Sequence, residues 1–325
     1  MQILGGKNML KKFGIAVGIL IGALVLLAAA GPLIARPLSE TKLMELGVLA
    51  KDAAFVDVNG VRTHYVAKGQ EDEPIIFIHG FSSSLYTWSA CLDAIAQQHR
   101  VYSLDLEGFG FSEKPAIEYT VDRYADFMIG FMDALNIKSA VLCGNSMGGN
   151  ISWRTALKYP DRVSKLILVD ASGYPSKDSG KHKGLPFLLR LGRLPGVGER
   201  FGFFASRGQI RSSLESAYCE DSKVTDHTVD MYYYPLKTEG GMRAVLARMR
   251  GSSEDLKEWA AKIPSLTLPA LIVWGENDTW IPAENAYNFH EDIAGSKLVI
   301  LPGCGHLPQE EFPQEFARHV LEFHD

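Results

Sequence analysis

The chain has 325 residues, of which 46% are hydrophobic and 22% charged. That balance suits one large folded domain with an insertion and excludes a mainly disordered polymer. The formal net charge is −5 and basic residues are scattered rather than gathered in a stripe, which excludes a nucleic-acid footprint and favours an uncharged or apolar substrate.

The first predicted element is apolar. Phe13 to Ala35 carries no charged residue, and as a helix rising about 1.5 Å per residue it would span about 30 Å of hydrocarbon. Lys7, Lys11 and Lys12 precede it, so the positive-inside tendency places the N-terminus in the cytoplasm and the rest of the chain across the membrane; Arg36 and Lys42 weaken that asymmetry. Ala28-Ala29-Ala30 offers the alternative of a cleaved secretory signal, although the run is long for one. Both alternatives export the rest of the chain. Residues 1–36 are thus expected as a membrane anchor or signal, and 37–53 as a linker.

From residue 54 strands and helices alternate. Phe55–Val58 and Val61–Ala67 flank Asn59-Gly60, a strong hairpin signal. An apolar strand at 75–78 comes next, then a helix around Trp88–Gln97, a strand at 101–105, a helix from Val121 to Leu135 and a strand leading into Gly144-Asn145-Ser146-Met147-Gly148-Gly149. Such alternation predicts a doubly wound, mostly parallel sheet. Ser164 to Val169 is the next strand. Residues 172–262 then carry no apolar strand run but have Gly and Pro breaks, helical stretches and many aromatics. They predict a helical cap inserted into a core of 54–171 and 263–325. Within it, Leu185–Leu191 and Met231–Tyr234 supply apolar faces that either pack the cap on the core or roof an apolar pocket. Strands at 270–274 and 297–301 close the pattern.

The chemistry is carried by three strand ends. In Gly-x-Ser-x-Gly the serine occupies a strained strand-to-helix turn whose neighbours must lack side chains, which lifts the Ser146 hydroxyl towards a substrate. A serine is a useful nucleophile only with a base and an oxyanion site. The turn Gly275-Glu276-Asn277-Asp278 offers Asp278 as the orienting acid, and Pro302-Gly303-Cys304-Gly305-His306 offers His306 as the base. Asp170, ending the sixth strand, is a rival for the acid and is read as structural. The strand at 75–78 ends in His79-Gly80-Phe81, where the backbone amide of Phe81 would form an oxyanion hole with that of Met147, at the start of a helix whose positive end favours the developing charge.

With these pieces in order, the chain resembles an α/β-hydrolase fold serine hydrolase with an inserted cap over roughly residues 54–325. The resemblance rests on His79-Gly80-Phe81, on Asp105 to Ser112, on Gly144 to Gly149, on Gly275 to Asp278 and on Gly305-His306. It implies an eight-stranded sheet, a Ser146-His306-Asp278 triad, acyl-enzyme chemistry and no cofactor. Relatives that hydrolyse haloalkanes or epoxides carry aspartate at the nucleophile position, so Ser146 argues against both. His79 is read as holding its loop, and Asp105, with Gly108 and Gly110, as fixing the loop after its strand. Gly108 to Glu113 lacks the last glycine of a dinucleotide fingerprint and opens no helix.

Cys143 and Cys304 lie on non-neighbouring strands and are expected as buried free thiols; Cys91 and Cys219 are left open, and no CxxC or HExxH spacing suggests a metal. The expected reaction is hydrolysis of carboxylic esters of small to medium apolar substrates. The serine motif also resembles that of carbon-carbon bond hydrolases of vinylogous diketones, although Gly80-Phe81-Ser82-Ser83-Ser84 is less glycine-rich than their loop. From another class, a ligand-binding relative without catalysis is the competing reading, and the complete triad opposes it.

Overall fold

A computed structural model describes residues 37–51, 53–70, 73–175, 206–251 and 256–324. Eight strands form one sheet: β1 (Ala54–Val58), β2 (Val61–Lys68), β3 (Ile75–Ile78), β4 (Val101–Leu104), β5 (Ala140–Asn145), β6 (Val163–Val169), β7 (Ala270–Gly275) and β8 (Lys297–Leu301). Their order is β1-β2-β4-β3-β5-β6-β7-β8. The β1–β2 and β2–β4 pairs are antiparallel and every other pair is parallel. At the hairpin, Asn59 (φ 53°) and Gly60 (φ 84°) are both left-handed, the conformation that keeps a two-residue turn in step with strand twist.

The helices of the described residues are α1 (Glu40–Glu45), α2 (Ser89–Ala96), α3 (Val121–Ala134), α4 (Met147–Lys158), α5 (Arg207–Ala217), α6 (Asp226–Tyr233), α7 (Gly241–Arg250), α8 (Leu256–Ala260), α9 (Glu284–Asp292), α10 (Pro308–Glu311) and α11 (Pro313–His324). Side chains alternate across each strand, so the continuous apolar runs of β3, β5, β6 and β7 supply two cores at once. Ile76, Ile78, Leu142, Leu166, Leu168, Ile272 and Trp274 face α3, α4 and α9. Ile75, Phe77, Val141, Cys143, Ile167, Val169, Leu271 and Val273 face α2 and α11. The two-sided burial is what a doubly wound sheet requires.

Between β6 and β7 the described residues hold helices α5 to α8 and no strand. The stretch 37–53, expected as a linker, contains α1, capped by the Ser39 side chain on the Lys42 amide, and buries Leu43, Val48 and Leu49 in a cluster touching Phe111, Met231 and Tyr234. It is therefore packed on the folded body rather than a bare tether. Among the described residues no helix is long and apolar enough to cross a membrane. The apolar run 13–35 and the stretch Leu185–Leu191 lie outside the described residues.

Candidate active site

Ser146 stands between β5 and α4 with φ 55° and ψ −115°, a backbone state that ordinary side chains avoid. The turn is held by its neighbours' lack of bulk. A Cβ on Gly144 would lie 2.2 Å from the Gly148 carbonyl oxygen, and one on Gly148 would lie 2.1 Å from that of Ile78. Backbone bonds brace it: the Ser146 amide donates to Val169 (2.9 Å), and its carbonyl accepts from Asn150 (3.2 Å) and Ser172 (3.0 Å). The strain predicted from the glycine spacing is thus present and over-determined.

His306 follows β8 and Asp278 follows β7. His306 Nδ1 and Asp278 Oδ2 are 2.7 Å apart, with 2% and 0% of the two side chains exposed. The other oxygen of Asp278, Oδ1, accepts from the backbone amides of Trp280 (2.7 Å) and Ile281 (3.0 Å). Two amides therefore fix the carboxylate, which fixes the ring. The indole of Trp280 lies over the His306 imidazole with centroids 5.1 Å apart. Asn145 Nδ2 donates to the carbonyls of Val169 and His306, both at 3.2 Å, tying the ends of β5 and β6 to the histidine loop.

Asp170 lies beside this pair, fully buried and with φ 42°. Its Oδ1 accepts from the Gly275 amide at 3.0 Å. Burial, reinforced by the neighbouring Asp278 carboxylate, pushes its proton affinity well above the ordinary aspartate range. His306 takes Asp278, not Asp170, as its hydrogen-bond partner.

The loop after β3 approaches from the other side: a Cβ on Gly80 would lie 3.2 Å from Ser146 Cβ, which sets the following Phe81 next to the Ser146 turn. His79 shapes the loop. Its Nδ1 donates to the Gly80 carbonyl (2.7 Å) and its Nε2 accepts from the Leu106 amide (3.0 Å), so both nitrogens are engaged and burial lowers its proton affinity. Asp105 anchors the next loop. Burial alone would raise its pKa, but His64 at 2.7 Å and amide bonds from Leu85 and Phe111 hold it below the ordinary value.

Ser146, His306, Asn145 and the Gly80–Ser83 loop line a cavity of about 410 Å³ that is closed by Ile210, Ser213, Leu214 and Ala217 of α5, by Tyr232, Trp280 and Leu307. Positions 210, 213, 214 and 217 are one helical face. The carboxyl end of α5 docks on the loops that carry His306 and Asp278: His306 N–H donates to the Ala217 carbonyl (2.7 Å) and the Thr279 hydroxyl to that of Ser216 (3.0 Å), satisfying carbonyls that a helix end leaves open. Phe81 and Trp280 are exposed at the rim. The Tyr232 hydroxyl donates to Glu310, a part-buried carboxylate that also accepts from Thr87 (2.5 Å) and Tyr218 (2.6 Å). Glu311 accepts from the amides of Gly305 (2.7 Å) and Cys219 (2.8 Å).

All five residues singled out from the sequence, Ser146, Asp278, His306, Phe81 and Met147, fall on the loops and the helix start that meet at this cavity, though only Ser146, His306 and Phe81 are cavity-lining. Asn145, Trp280, Glu310 and Glu311 were not singled out. Only Glu310 and Glu311 left a signal, two adjacent acids a few residues after His306. All four cysteines are free, with Cys91, Cys143 and Cys304 buried and Cys219 exposed. No disulfide pairs Cys143 with Cys304, in line with their strand positions.

Comparison with known proteins places this geometry in context. The uncharacterized hydrolase YugF of Bacillus subtilis is 30% identical over 267 residues, 82% of this chain and 94% of that protein. The 2-hydroxy-6-oxo-6-(2'-aminophenyl)hexa-2,4-dienoic acid hydrolase of Metapseudomonas resinovorans is 30% identical over 279 residues, 83% of this chain and 89% of its own. Among solved structures, a membrane phospholipase A described as a bacterial virulence factor superposes with a TM-score of 0.63 at 25% identity, covering 97% of this chain and 96% of its own. The sequence profile of the alpha/beta hydrolase fold matches residues 73–313, and the chain belongs to that family.

Proposed function

We propose that the protein is a serine hydrolase of carboxylic esters with small to medium apolar acyl groups, and that Ser146, His306 and Asp278 are its triad. The observation that carries this is the cavity itself, in which Ser146 and His306 share about 410 Å³ with Ile210, Leu214, Leu307 and aromatic rings, and in which no Lys, Arg, Asp or Glu stands among the described lining residues. His306 takes the Ser146 proton as the hydroxyl attacks the ester carbonyl, and Asp278 keeps the remaining ring proton on Nδ1. The amides of Phe81 and Met147 receive the oxyanion. His306 protonates the leaving alcohol and then activates water, which releases the acid and restores Ser146.

The main rival is carbon-carbon bond hydrolysis, the reaction class of several relatives. The substrate named for the Metapseudomonas enzyme is a dienoic acid. Such a carboxylate would enter this cavity without a counter-charge from the described lining, at a cost on the order of several kcal/mol. Esters incur no such cost. Membrane attachment through residues 13–35, with the hydrolase domain on the extracytoplasmic side, belongs to the same proposal. Its supports are the uncharged run and the preceding lysines and a counterpart, itself called a membrane phospholipase, that spans 97% of this chain.

A panel of p-nitrophenyl esters with acyl chains from two to sixteen carbons, run beside a ring-cleavage dienoate, tests the proposal. Ester turnover with a defined chain-length optimum is expected. Rapid loss of the dienoate absorbance with negligible ester turnover would overturn it.

A further inference from the structure

Asp170 is a fully buried carboxyl beside Asp278 and His306 to which the mechanism gives no task. One oxygen each of Asp170 and Asp278 and one ring nitrogen of His306 lie within 4.8 Å of one another, and all three residues are buried. Three of the four carboxylate oxygens have partners. Asp278 Oδ1 faces two amides and Oδ2 faces His306; Asp170 Oδ1 faces the Gly275 amide. Asp170 Oδ2 is buried and receives no donor from the described residues. Two bare carboxylates this close, shielded from water, would repel strongly, and a single imidazole can balance only one of them.

We propose that Asp170 carries a proton and donates it as a hydrogen bond to the Asp278 carboxylate, making it a positioning residue that steadies the orienting acid. Two carboxyl groups then hold one proton and one negative charge, which matches the single positive charge that His306 acquires during turnover. The charged or titratable groups facing Asp170 are Asp278, His306, Glu311 and the Cys304 thiol; the two acids favour its protonated form. The left-handed backbone of Asp170 (φ 42°), placed by the Asp170 N–H bond to the Val273 carbonyl (3.0 Å), aims the side chain across from β6 to the end of β7. The proposal rests on the triad reading for its catalytic consequence, but the protonation state does not.

Two measurements test it. Infrared difference spectroscopy of wild type against Asp170→Asn at pH 7 is expected to show a protonated-carboxyl carbonyl band in wild type that the variant lacks; absence of the band means that Asp170 is ionised and overturns the proposal. In ester hydrolysis, Asp170→Asn keeps a donor towards Asp278 and an acceptor towards Gly275, so kcat is expected to stay within about threefold of wild type. Asp170→Ala removes the donor and is expected to lower kcat about 10- to 100-fold with KM nearly unchanged, the effect of one hydrogen bond to a charged group. A wild-type kcat in Asp170→Ala, or an Asn variant as impaired as the Ala variant, contradicts it. Should Asp170→Ala not fold, the infrared band and the Asn variant still decide. If Ser146→Ala retains turnover while the infrared band is present, the triad reading fails and the proton assignment survives.

Discussion

Replacing Asp278 by Asn perturbs one atom and inverts the logic of the site. The Oδ1 position faces two backbone donors, Trp280 N–H and Ile281 N–H, so an asparagine amide must put its oxygen there and turn Nδ2 towards His306. Facing a donor, His306 Nδ1 becomes the acceptor and its proton moves to Nε2, the nitrogen that must accept from Ser146. The variant thus loses a 2.7 Å charge-assisted bond between two side chains that are 2% and 0% exposed, worth about 1.5–3 kcal/mol. It also loses the correct tautomer. In serine proteases the equivalent change costs about 10⁴-fold in kcat, or about 5.5 kcal/mol of barrier. The same two losses occur here, so kcat for a p-nitrophenyl ester is expected to fall about 10³- to 10⁴-fold with KM little altered, since Asp278 does not line the cavity. Steady-state release of p-nitrophenolate measures both constants. A kcat within about tenfold of wild type, in protein with unchanged circular dichroism, would refute the assignment of Asp278 as the group that sets the tautomer.

Two further outcomes concern the cavity and its supports. Ser213 lies on the α5 face that closes the cavity, so Ser213→Trp is expected to shift the chain-length optimum to shorter esters, lowering long-chain relative to short-chain kcat/KM by about tenfold or more; an unchanged optimum would remove α5 from the acyl wall. Glu310 has its proton affinity raised chiefly by burial, with its three hydroxyl donors opposing that shift. A carboxyl whose folded pKa is raised gives its full stabilisation below the unfolded value and loses it as pH rises through the folded one. Wild-type melting temperature is therefore expected to decline from the ordinary carboxylate range upward more steeply than that of Glu310→Gln, read by calorimetry across that range. Parallel curves would show that Glu310 has the same proton affinity folded and unfolded, contrary to the effect of burial.

Much of the architecture was legible because it rests on local rules. Continuous apolar runs at 75–78 and 270–274, short and bounded by turn residues, suit strands buried on both faces, and the structure places them as β3 and β7 in the middle and near the far edge of the sheet. Asn59-Gly60 specified its hairpin. The elbow at Ser146 was readable because glycine spacing reports backbone contact directly. What escaped depends on packing between distant elements. Trp280 reaches His306 only because β7 and β8 are neighbours, and the Glu310 cluster joins Thr87, Tyr218 and Tyr232 from three separate segments. The stretch 37–53 resembled a linker because its few apolar residues are too sparse for a periodic signal, yet Leu43, Val48 and Leu49 find a cluster supplied by residues far along the chain. Asp170 was read as structural because sequence order cannot show how close the ends of β6 and β7 bring two carboxyls.

The central claim is that Ser146 is a nucleophile activated by His306, and covalent capture tests it most directly. Wild-type protein treated with a fluorophosphonate and digested is expected to carry one adduct, on the peptide containing Ser146, with ester turnover lost in step with labelling. Ser146→Ala is expected to take no label and to show no turnover above background. Labelling elsewhere, or a Ser146→Ala variant that retains most of its ester turnover, would contradict the account.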